Sequence, residues 1–565
     1  MVGARVERIV LIGLAGVDWL ALGGAMQRRL VPNISRMAGS GLLAPLRTPP
    51  PVEGPPGWTT LATGLPPETH GVIGADEAWA GGVRQTSRAS WAAPALWERL
   101  EQAGIGTAGI GWPGSNPGAD WPGLHIDDLY ARPSGHDWQD WALPLRCAPG
   151  AAREELRALR VHPSDIDAAT LAPFVPDLGT VDQERDPALA WIALALAHAA
   201  TVQAGAVWLL AQNPPARATF IHNGWLAALR TRFDGRAAPY NAVIESGWRF
   251  LDGLIARLAQ LTGADTQLLL VSPGWKELAG FLLAPGVQPQ EPIRGVQAID
   301  IAPTILSRFG LRDPALPGSL VGALAGTAAR VLTPAAPREH IPPDAELLAA
   351  VAAQGYPVPP QAPRKWRAAR ATRFGAVLLT RAPDRALAAA ETALAIDATD
   401  VEALSLKAYA LIALERADGL KDIAETLDRT APGQPWGRMA RGAYHALRGE
   451  TAEAAPLLRE AERAEDGPTR RRAGAAWLLL RQADAATRAF RGALEIDPDD
   501  ASAEIGLSMA ALLAHRPVDA EIPLRRVLMR DAGHAAAWTQ LAAVLHKQGR
   551  SREAKEAEAI VARLG

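Results

Sequence analysis

Histidine and acidic side chains are the groups in the first 330 residues that could hold a metal ion or transfer a proton. The six histidines of this region are scattered, without ligand-like pairs: His70, His125, His136, His162, His198 and His222. Zinc needs three or four ligands around one point, so scattered histidines do not predict a site. The one local group of histidine with acidic residues is His125-Ile126-Asp127-Asp128, which we interpret as part of a surface loop.

A second chemical feature is the segment Gly54-Pro55-Pro56, which predicts the start of a helix. Free backbone N–H groups at such an end favour an anion such as phosphate. However, no Lys or Arg stands beside this segment to add positive charge. Thr59 and Thr60 carry nearby hydroxyl groups, but they follow more than one helical turn later, so we expect them to pack or to cap locally.

Composition excludes several other kinds of chemistry. The single cysteine, Cys147, allows neither an internal disulfide nor a cysteine-based metal site. The formal net charge of −2 gives no electrostatic reason to expect a nucleic-acid or anionic-membrane partner. No stretch approaches about eighteen uninterrupted apolar residues, so we expect no membrane contact and predict a cytoplasmic protein.

The elements that would position these groups follow a regular order. Short apolar runs alternate with helical patterns in residues 1–330, which predicts an α/β domain with a mostly parallel sheet. The predicted strands are Ile9–Gly13, Gly106–Ile110, Ala216–Ile221 and Gln267–Ser272. Prolines then crowd residues 331–364, which predicts a linker with a short helix over Asp344–Ala353.

Residues 365–565 are rich in Ala, Leu, Arg and Glu, and their pattern repeats every 34 residues. Small residues such as Gly474 let two antiparallel helices approach, large ones such as Phe490 fill the space between them, and Pro498 stops the second helix. Residues equivalent to Pro498 recur near Ala398, Pro432, Asp466 and Ala532, with one two-residue contraction. This all-α region resembles an array of four to five tetratricopeptide repeats.

The first helix of each pair lines the concave surface of such an array. Six side chains are therefore predicted to contact a protein partner: Ser502, Ile505, Met509, Thr539, Ala543 and His546. Each of them could instead pack against the neighbouring repeat, and the sequence does not decide between these roles.

Several segments of the N-terminal region form a recognisable set: Ile9-Val10-Leu11-Ile12-Gly13, Pro56-Gly57-Trp58-Thr59-Thr60-Leu61-Ala62-Thr63-Gly64, Thr69-His70-Gly71 and Ala298-Ile299-Asp300-Ile301-Ala302-Pro303-Thr304. Together they resemble the type I phosphodiesterase/nucleotide pyrophosphatase branch of the alkaline phosphatase superfamily. The resemblance implies a mostly parallel sheet flanked by helices. It also implies chemistry in which two metal ions, usually zinc, activate a hydroxyl nucleophile.

The catalytic positions of that family do not carry catalytic residues here. The Asp ligand after the first strand matches Ala15, and the hydroxyl nucleophile at the helix start matches Gly54. In the family's Ser-Asp-His-Gly segment, the Asp and His positions are occupied by Pro273 and Gly274.

The remaining family positions are also altered. The strand end that should carry an Asp and a His offers only His222, which as a lone imidazole is more typical of a packed side chain. The loop that should hold the last His is missing, because Trp275 leads almost directly to Gly280. Asp18 matches an acidic position that is not a ligand, so we predict a loop or cap residue.

The resemblance thus implies a degenerate, pseudoenzyme-like member that holds no catalytic metal or other cofactor. We predict a protein-binding scaffold that acts through its repeats. One alternative is a metal-dependent phosphoric-ester hydrolase with a rebuilt site, which would need a new cluster of histidine and acidic residues. Another is non-catalytic recognition of a phosphate or nucleotide by the former pocket, through the backbone donors of the helix start after Gly54.

Overall fold

A computed structural model describes residues 7–79, 82–116, 123–131, 147–148, 152–183, 185–276, 278–289, 295–333, 371–372, 375–376, 379, 383–498, 500–530 and 534–564. The chain divides into two compact units, residues 1–77 with 85–358 and residues 359–565 with 78–84. The predicted helix Asp344–Ala353 and nearly all of the predicted linker 331–364 lie outside the described residues. The domain boundaries 1–330, 331–364 and 365–565 therefore stay predictions.

The N-terminal region contains short strands separated by helices. Its strands are β1 Arg8–Leu14, β2 Gly41–Arg47, β3 Asp76–Trp79, β4 Gly82–Gln85, β5 Thr107–Ile110, β6 Leu124–Ile126, β7 Cys147–Ala148, β8 Ala218–Asn223, β9 Thr266–Trp275, β10 Leu278–Pro285, β11 Val296–Gln297, β12 Leu311–Arg312 and β13 Arg330–Val331. Its helices are α1 Trp19–Gln27, α2 Pro32–Gly39, α3 Pro55–Thr63, α4 Pro67–His70, α5 Leu96–Gln102, α6 Arg153–Ala158, α7 Ala168–Leu171, α8 Ala188–Leu210, α9 Trp225–Phe233, α10 Val243–Gln260 and α11 Ile301–Arg308.

Nine of these strands form one sheet in the order β11-β2-β10-β9-β1-β8-β5-β6-β7. The central strand β1 is parallel to both of its neighbours, β8 and β9. Strand β10 is antiparallel to β9 and to β2. The predicted mostly parallel sheet is confirmed, and the four predicted strands correspond to β1, β5, β8 and β9.

The sheet is buried on both faces, as parallel sheets are. Successive residues of a strand point to opposite faces, so Val10 and Ile12 pack in one hydrophobic cluster and Ile9 and Leu11 in another. Helices α8, α9 and α10 supply the first cluster, whereas α3, α5 and α11 supply the second. This arrangement leaves the ends of the strands as the places where a site can open.

Among the described residues, α8 is the one helix long and apolar enough by composition to cross a membrane. However, 61% of its most apolar window is buried inside the structure. Its residues Ile192, Leu196 and Val202 belong to the hydrophobic cluster on one face of the sheet. The burial is that of a core helix, so its apolar composition is weak evidence for a membrane span.

The C-terminal region is a succession of helices. They are α12 Pro383–Ile396, α13 Val401–Ala413, α14 Leu420–Thr430, α15 Trp436–Leu447, α16 Thr451–Ala461, α17 Gly467–Leu479, α18 Ala483–Ile496, α19 Ala501–Leu513, α20 Pro517–Arg530, α21 Ala535–Lys547 and α22 Ser551–Leu564. From α13 onwards they form five successive helix–turn–helix pairs, in which each helix packs against the next. The predicted repeat array is thereby confirmed.

Phe490 shows why the repeat needs small residues. A side chain on Gly474 or Gly506 would place its Cβ 2.8 Å or 2.3 Å from the Phe490 ring, so the ring fits only between two glycines. Phe490 thus packs against the bare backbone of its own repeat and of the next one, in agreement with the predicted roles of Gly474 and Phe490.

The first helices of four pairs are capped at equivalent positions. The capping side chains are Asp400, Asp466, Asp500 and His534. Asp466 is therefore the equivalent of Asp500, and its prediction as an equivalent of Pro498 is wrong by two residues. The sequence predicted the two-residue contraction of the 34-residue repeat between Asp466 and Pro498. It lies one repeat earlier, because Asp400 and Asp466 are 66 residues apart, two fewer than two full repeats.

Candidate functional site

A cavity of about 940 Å³ lies where β1, β8 and β9 end. Ala15 follows β1, Gly224 follows β8, and Gly274 is the penultimate residue of β9, and all three line the cavity. The start of α3 lies on the same wall, through Gly54 and Pro55. Ligands of open α/β sheets bind at the carboxyl ends of the parallel strands, so this cavity is the candidate site.

The structure brings together positions that the sequence assigned to lost catalytic residues. Ala15, Gly54 and Gly274 line one cavity although they are far apart in the chain. Pro273 lies just behind the wall, where its carbonyl oxygen accepts a hydrogen bond of 2.6 Å from the Thr48 hydroxyl. None of these four residues offers a side chain that could bind a metal ion or attack phosphorus.

The end of β9 leaves no place for the missing histidine loop. Strand β10 begins at Leu278, and Leu278 pairs directly with Trp275 across the hairpin. Gly280 lies so close to β9 that a Cβ there would be 1.9 Å from the Ser272 carbonyl oxygen. The two strands therefore turn back on each other over the segment where the family places its last ligand.

Gly54 sets the start of α3 by its backbone. Its φ of 68° lies in the left-handed region that glycine tolerates and other residues rarely adopt. A Cβ at this position would meet nothing within 4 Å, so the space beyond it is open. The position that the sequence assigns to the nucleophile thus has no reactive side chain, and a threonine there would be strained in the present backbone.

His222 is packed among aromatic rings on the cavity wall. Its ring lies 4.5 Å from that of Trp58 and 6.3 Å from that of Trp112, both in edge-to-face orientation. The side chain is only 7% exposed. The packed role that the sequence favoured for His222 agrees with this geometry.

Asp18 is a structural residue outside the cavity wall. One carboxylate oxygen accepts the Ala21 N–H at 2.8 Å and so caps α1. The other accepts a hydrogen bond of 2.8 Å from Arg230, which also donates to the Gly16 carbonyl oxygen. The predicted cap role is confirmed.

Two further histidines, His70 and His125, are buried in the fold. His70 Nε2 lies 3.0 Å from the Thr60 hydroxyl, and its Nδ1 accepts the Val72 N–H. Burial lowers the pKa of His70 to about 3. Burial likewise lowers the pKa of His125 to about 3, so both imidazoles are neutral at ordinary pH.

The interpretation of His125-Ile126-Asp127-Asp128 as a surface loop is wrong. His125 is fully buried, and Asp127 and Asp128 are 2% and 8% exposed. The local pattern of charged residues resembles a solvated turn, but Asp127 accepts the Leu129 N–H and Asp128 accepts the Gly114 N–H and the Asn116 amide. These internal hydrogen bonds offset the loss of water around the buried carboxylates.

The described residues do not fit the two-metal site of the family. No three His, Cys, Asp or Glu side chains within the described ranges converge as metal ligands would. The carboxylates on the cavity wall are Glu53 and Asp128, and Asp128 is already held by two internal donors. Two divalent cations need several oxygen or imidazole ligands at about 2.0–2.6 Å, which these positions do not supply.

Much of the cavity wall comes from α8 and α9, which sequence reasoning missed. Helix α8 contributes Trp191, Leu194 and His198, and α9 contributes Trp225 and Arg232. The sequence does not indicate that these helices line a cavity, because the apolar periodicity of a helix predicts that one face is buried but not which surface it faces. Arg232 places on the same wall a positive charge that the sequence around Gly54 lacks.

The predicted partner-binding residues lie on two first helices of the repeats. On α19, Ser502 and Met509 are exposed and Ile505 is half-buried. On α21, Thr539, Ala543 and His546 are exposed, and His546 Nε2 lies 2.8 Å from a Glu558 carboxylate oxygen. Five of the six are thus open to solvent, and their contact with a partner stays a prediction.

Fold and cavity define the N-terminal region as an α/β protein whose site lies at the ends of its parallel strands. Residues 9–272 match the family model of type I phosphodiesterase / nucleotide pyrophosphatase. The N-terminal region is thus phosphodiesterase-like, and a tetratricopeptide-like helical region follows it. No curated protein matches the chain significantly.

Solved structures similar to the chain match its helical region. One is a thermophilic tetratricopeptide-repeat protein of Thermus thermophilus, at 22% identity over 32% of this chain and 99% of that chain, with a TM-score of 0.29. Another is the human IFIT1 dimer with PPP-AAAA, at 17% identity over 34% of this chain and 49% of that chain, with a TM-score of 0.29. A third is the MamA RS-1 ArsTM double mutant, at 17% identity over 35% of this chain and 94% of that chain, with a TM-score of 0.21.

Proposed function

We propose that this protein is a catalytically inactive phosphodiesterase-like scaffold that binds a protein partner through its repeats. The observation that carries the proposal is the cavity wall itself. Ala15, Gly54 and Gly274 converge at the ends of the strands, where the family needs ligands and a nucleophile, and none has a reactive side chain. The cytoplasmic location and the absence of a nucleic-acid or membrane partner are part of the same proposal.

Metal content and phosphoester hydrolysis test the inactive site directly. After dialysis against zinc, the purified full-length chain should hold well under one tightly bound metal ion by plasma mass spectrometry. It should hydrolyse neither a bis-ester nor a mono-ester of phosphate above the buffer rate, because neither nucleophile activation nor charge stabilisation is available. About two metals per chain together with turnover would instead establish a rebuilt site and end the proposal.

The repeat surface is tested by two matched substitutions in one repeat. Met509 on α19 and Met529 on α20 are 41% and 77% exposed. Met509→Glu should weaken capture of the partner about tenfold or more, because a charge would be buried at the interface without a counter-ion. Met529→Glu places the same charge on the second helix of the pair and should leave capture unchanged.

The measurement is a pull-down from the source lysate with the tagged full-length chain, carried out with and without nuclease. A specific protein should be retained by the wild type and by Met529→Glu and lost with Met509→Glu. Equal retention by both variants would contradict partner binding on the first helices. Loss of the captured protein on nuclease treatment would point to a nucleic acid as the true bridge.

A further inference from the structure

The wall of the cavity is mainly aromatic and apolar. Four indole rings from separate elements line it: Trp58 of α3, Trp191 of α8, Trp225 of α9 and Trp275 of β9. Leu194 and several alanines and glycines add to the apolar part of the wall. Its polar side chains are Glu53, Gln85, Thr86, Asp128, His198, His222, Thr231 and Arg232. A cavity of about 940 Å³ with this lining has the size and character of a site for a small organic molecule.

Two of these rings are fixed before any ligand arrives. Trp58 is held edge-to-face by Trp112 at 5.4 Å and by His222 at 4.5 Å. Trp225 is 1% exposed and packs edge-to-face on Phe250 at 5.4 Å. Rings that are already fixed lose little side-chain entropy when a ligand binds in front of them.

The charges on the wall are engaged within the protein. Asp128 accepts the Gly114 N–H at 3.1 Å and the Asn116 amide at 2.8 Å. The Arg232 guanidinium donates to the Ala228 carbonyl oxygen at 3.2 Å and stacks over Trp191 at 5.1 Å. With Glu53, the wall carries two carboxylates and one guanidinium, which disfavours a phosphate group.

The start of α3 does not reverse this balance. Pro55 and Pro56 occupy the first two helical positions and have no N–H to donate. Glu53 precedes them with a negative charge and accepts the Lys276 backbone N–H at 3.0 Å. The start of α3 therefore offers few N–H donors to a phosphoester, and the Glu53 carboxylate beside it repels an anion.

We infer that this cavity binds an uncharged, ring-containing organic molecule instead of a phosphoester. The inference rests on the proposed function, because it requires a cavity free of metal ions. Burial of the ring against the apolar part of this wall drives binding, since apolar area is then removed from water. The same wall that excludes an anion thus selects a neutral aromatic body.

A neutral planar dye tests the inference on the full-length chain. Nile red should bind saturably, one molecule per chain, with a blue-shifted emission, and millimolar pyrophosphate should not displace it. Ala228 is exposed on the cavity wall, so Ala228→Trp fills the cavity without disturbing the core. This variant should weaken dye binding about tenfold or more, which is about 1.4 kcal/mol or more.

Leu261→Trp is the matched control, since Leu261 is 37% exposed after the end of α10 and does not line the cavity. Equal binding by wild type and Ala228→Trp would place the dye elsewhere and overturn the inference, as would displacement by pyrophosphate. A metal-free chain that binds no dye would overturn the inference and leave the proposed function standing. Two metals per chain would refute the proposed function itself.

Discussion

Acidification from pH 7 to about 4.5 should destabilise the phosphodiesterase-like domain by about 4 kcal/mol through three buried groups. His70 and His125 have pKa values of about 3 in the folded chain because burial penalises their charged forms. In the unfolded chain an imidazole has its usual pKa of about 6.5. As the pH falls below 6.5, the unfolded state therefore takes up protons that the folded state cannot, and stability is lost.

The size of the effect follows from proton linkage. At pH 4.5, each of the two histidines lowers the free energy of unfolding by about 3 kcal/mol. The pH is then two units below 6.5, and every unit contributes about 1.4 kcal/mol. Asp300 acts in the opposite direction, because burial raises its folded pKa to about 6. The folded state then binds the Asp300 proton more tightly than the unfolded state, which restores about 2 kcal/mol over the same range.

Urea titrations of the full-length chain at several pH values, followed by tryptophan emission, measure this slope. His70→Gln should remove about half of the histidine contribution and flatten the dependence on pH. Thr60→Val removes a hydrogen-bond partner of His70 but keeps the imidazole, so stability should fall at every pH while the slope is preserved. An unchanged slope in His70→Gln would show that His70 is not the titrating group.

The fold can be predicted from the spacing of apolar residues along the chain, as strand β1 shows for the sheet. Alternation of Ile9 and Leu11 with Val10 and Ile12 buries both faces of β1, which is the condition for a parallel sheet with helices on each side. The 34-residue repeat likewise predicts the helix pairs, because it places Phe490 opposite two glycines that leave room for its ring. Its predicted register is off by two residues at Asp466, because a cap and a helix stop both use short polar or proline-rich segments.

The positions of the candidate site are readable from the sequence, but its character is not. Ala15 and Gly274 lie at the ends of predicted strands. Because the carboxyl ends of parallel strands lie at one edge of the sheet, both residues are expected to lie near each other there. Trp191 and Arg232 lie on helices whose pattern specifies burial only, so nothing in it shows that they face a cavity. The burial of Asp128 is also hidden in the sequence, because it depends on donors such as Gly114 that tertiary folding supplies.

Loss of the positive charge at Arg99 should cost about 3–5 kcal/mol, because it leaves Asp313 buried without its counter-ion. Arg99 Nε donates to an Asp313 carboxylate oxygen at 2.7 Å, and both side chains are 4% exposed. Arg99 also donates to the Pro94 carbonyl oxygen, so the guanidinium joins α5 to the segment after β12. Burial lowers the pKa of Arg99, which reflects the same desolvation that makes an unpaired charge costly here.

A double-mutant cycle in urea separates the ion pair from the packing of its side chains. Arg99→Met and Asp313→Leu should each destabilise strongly, while the double variant should cost clearly less than their sum, since no charge is then left buried alone. Arg157→Met is the control, because its pair with Glu154 is 56% and 85% exposed and is worth under about 1 kcal/mol. Additive losses in the cycle would mean that Arg99 and Asp313 stabilise the domain through separate contacts.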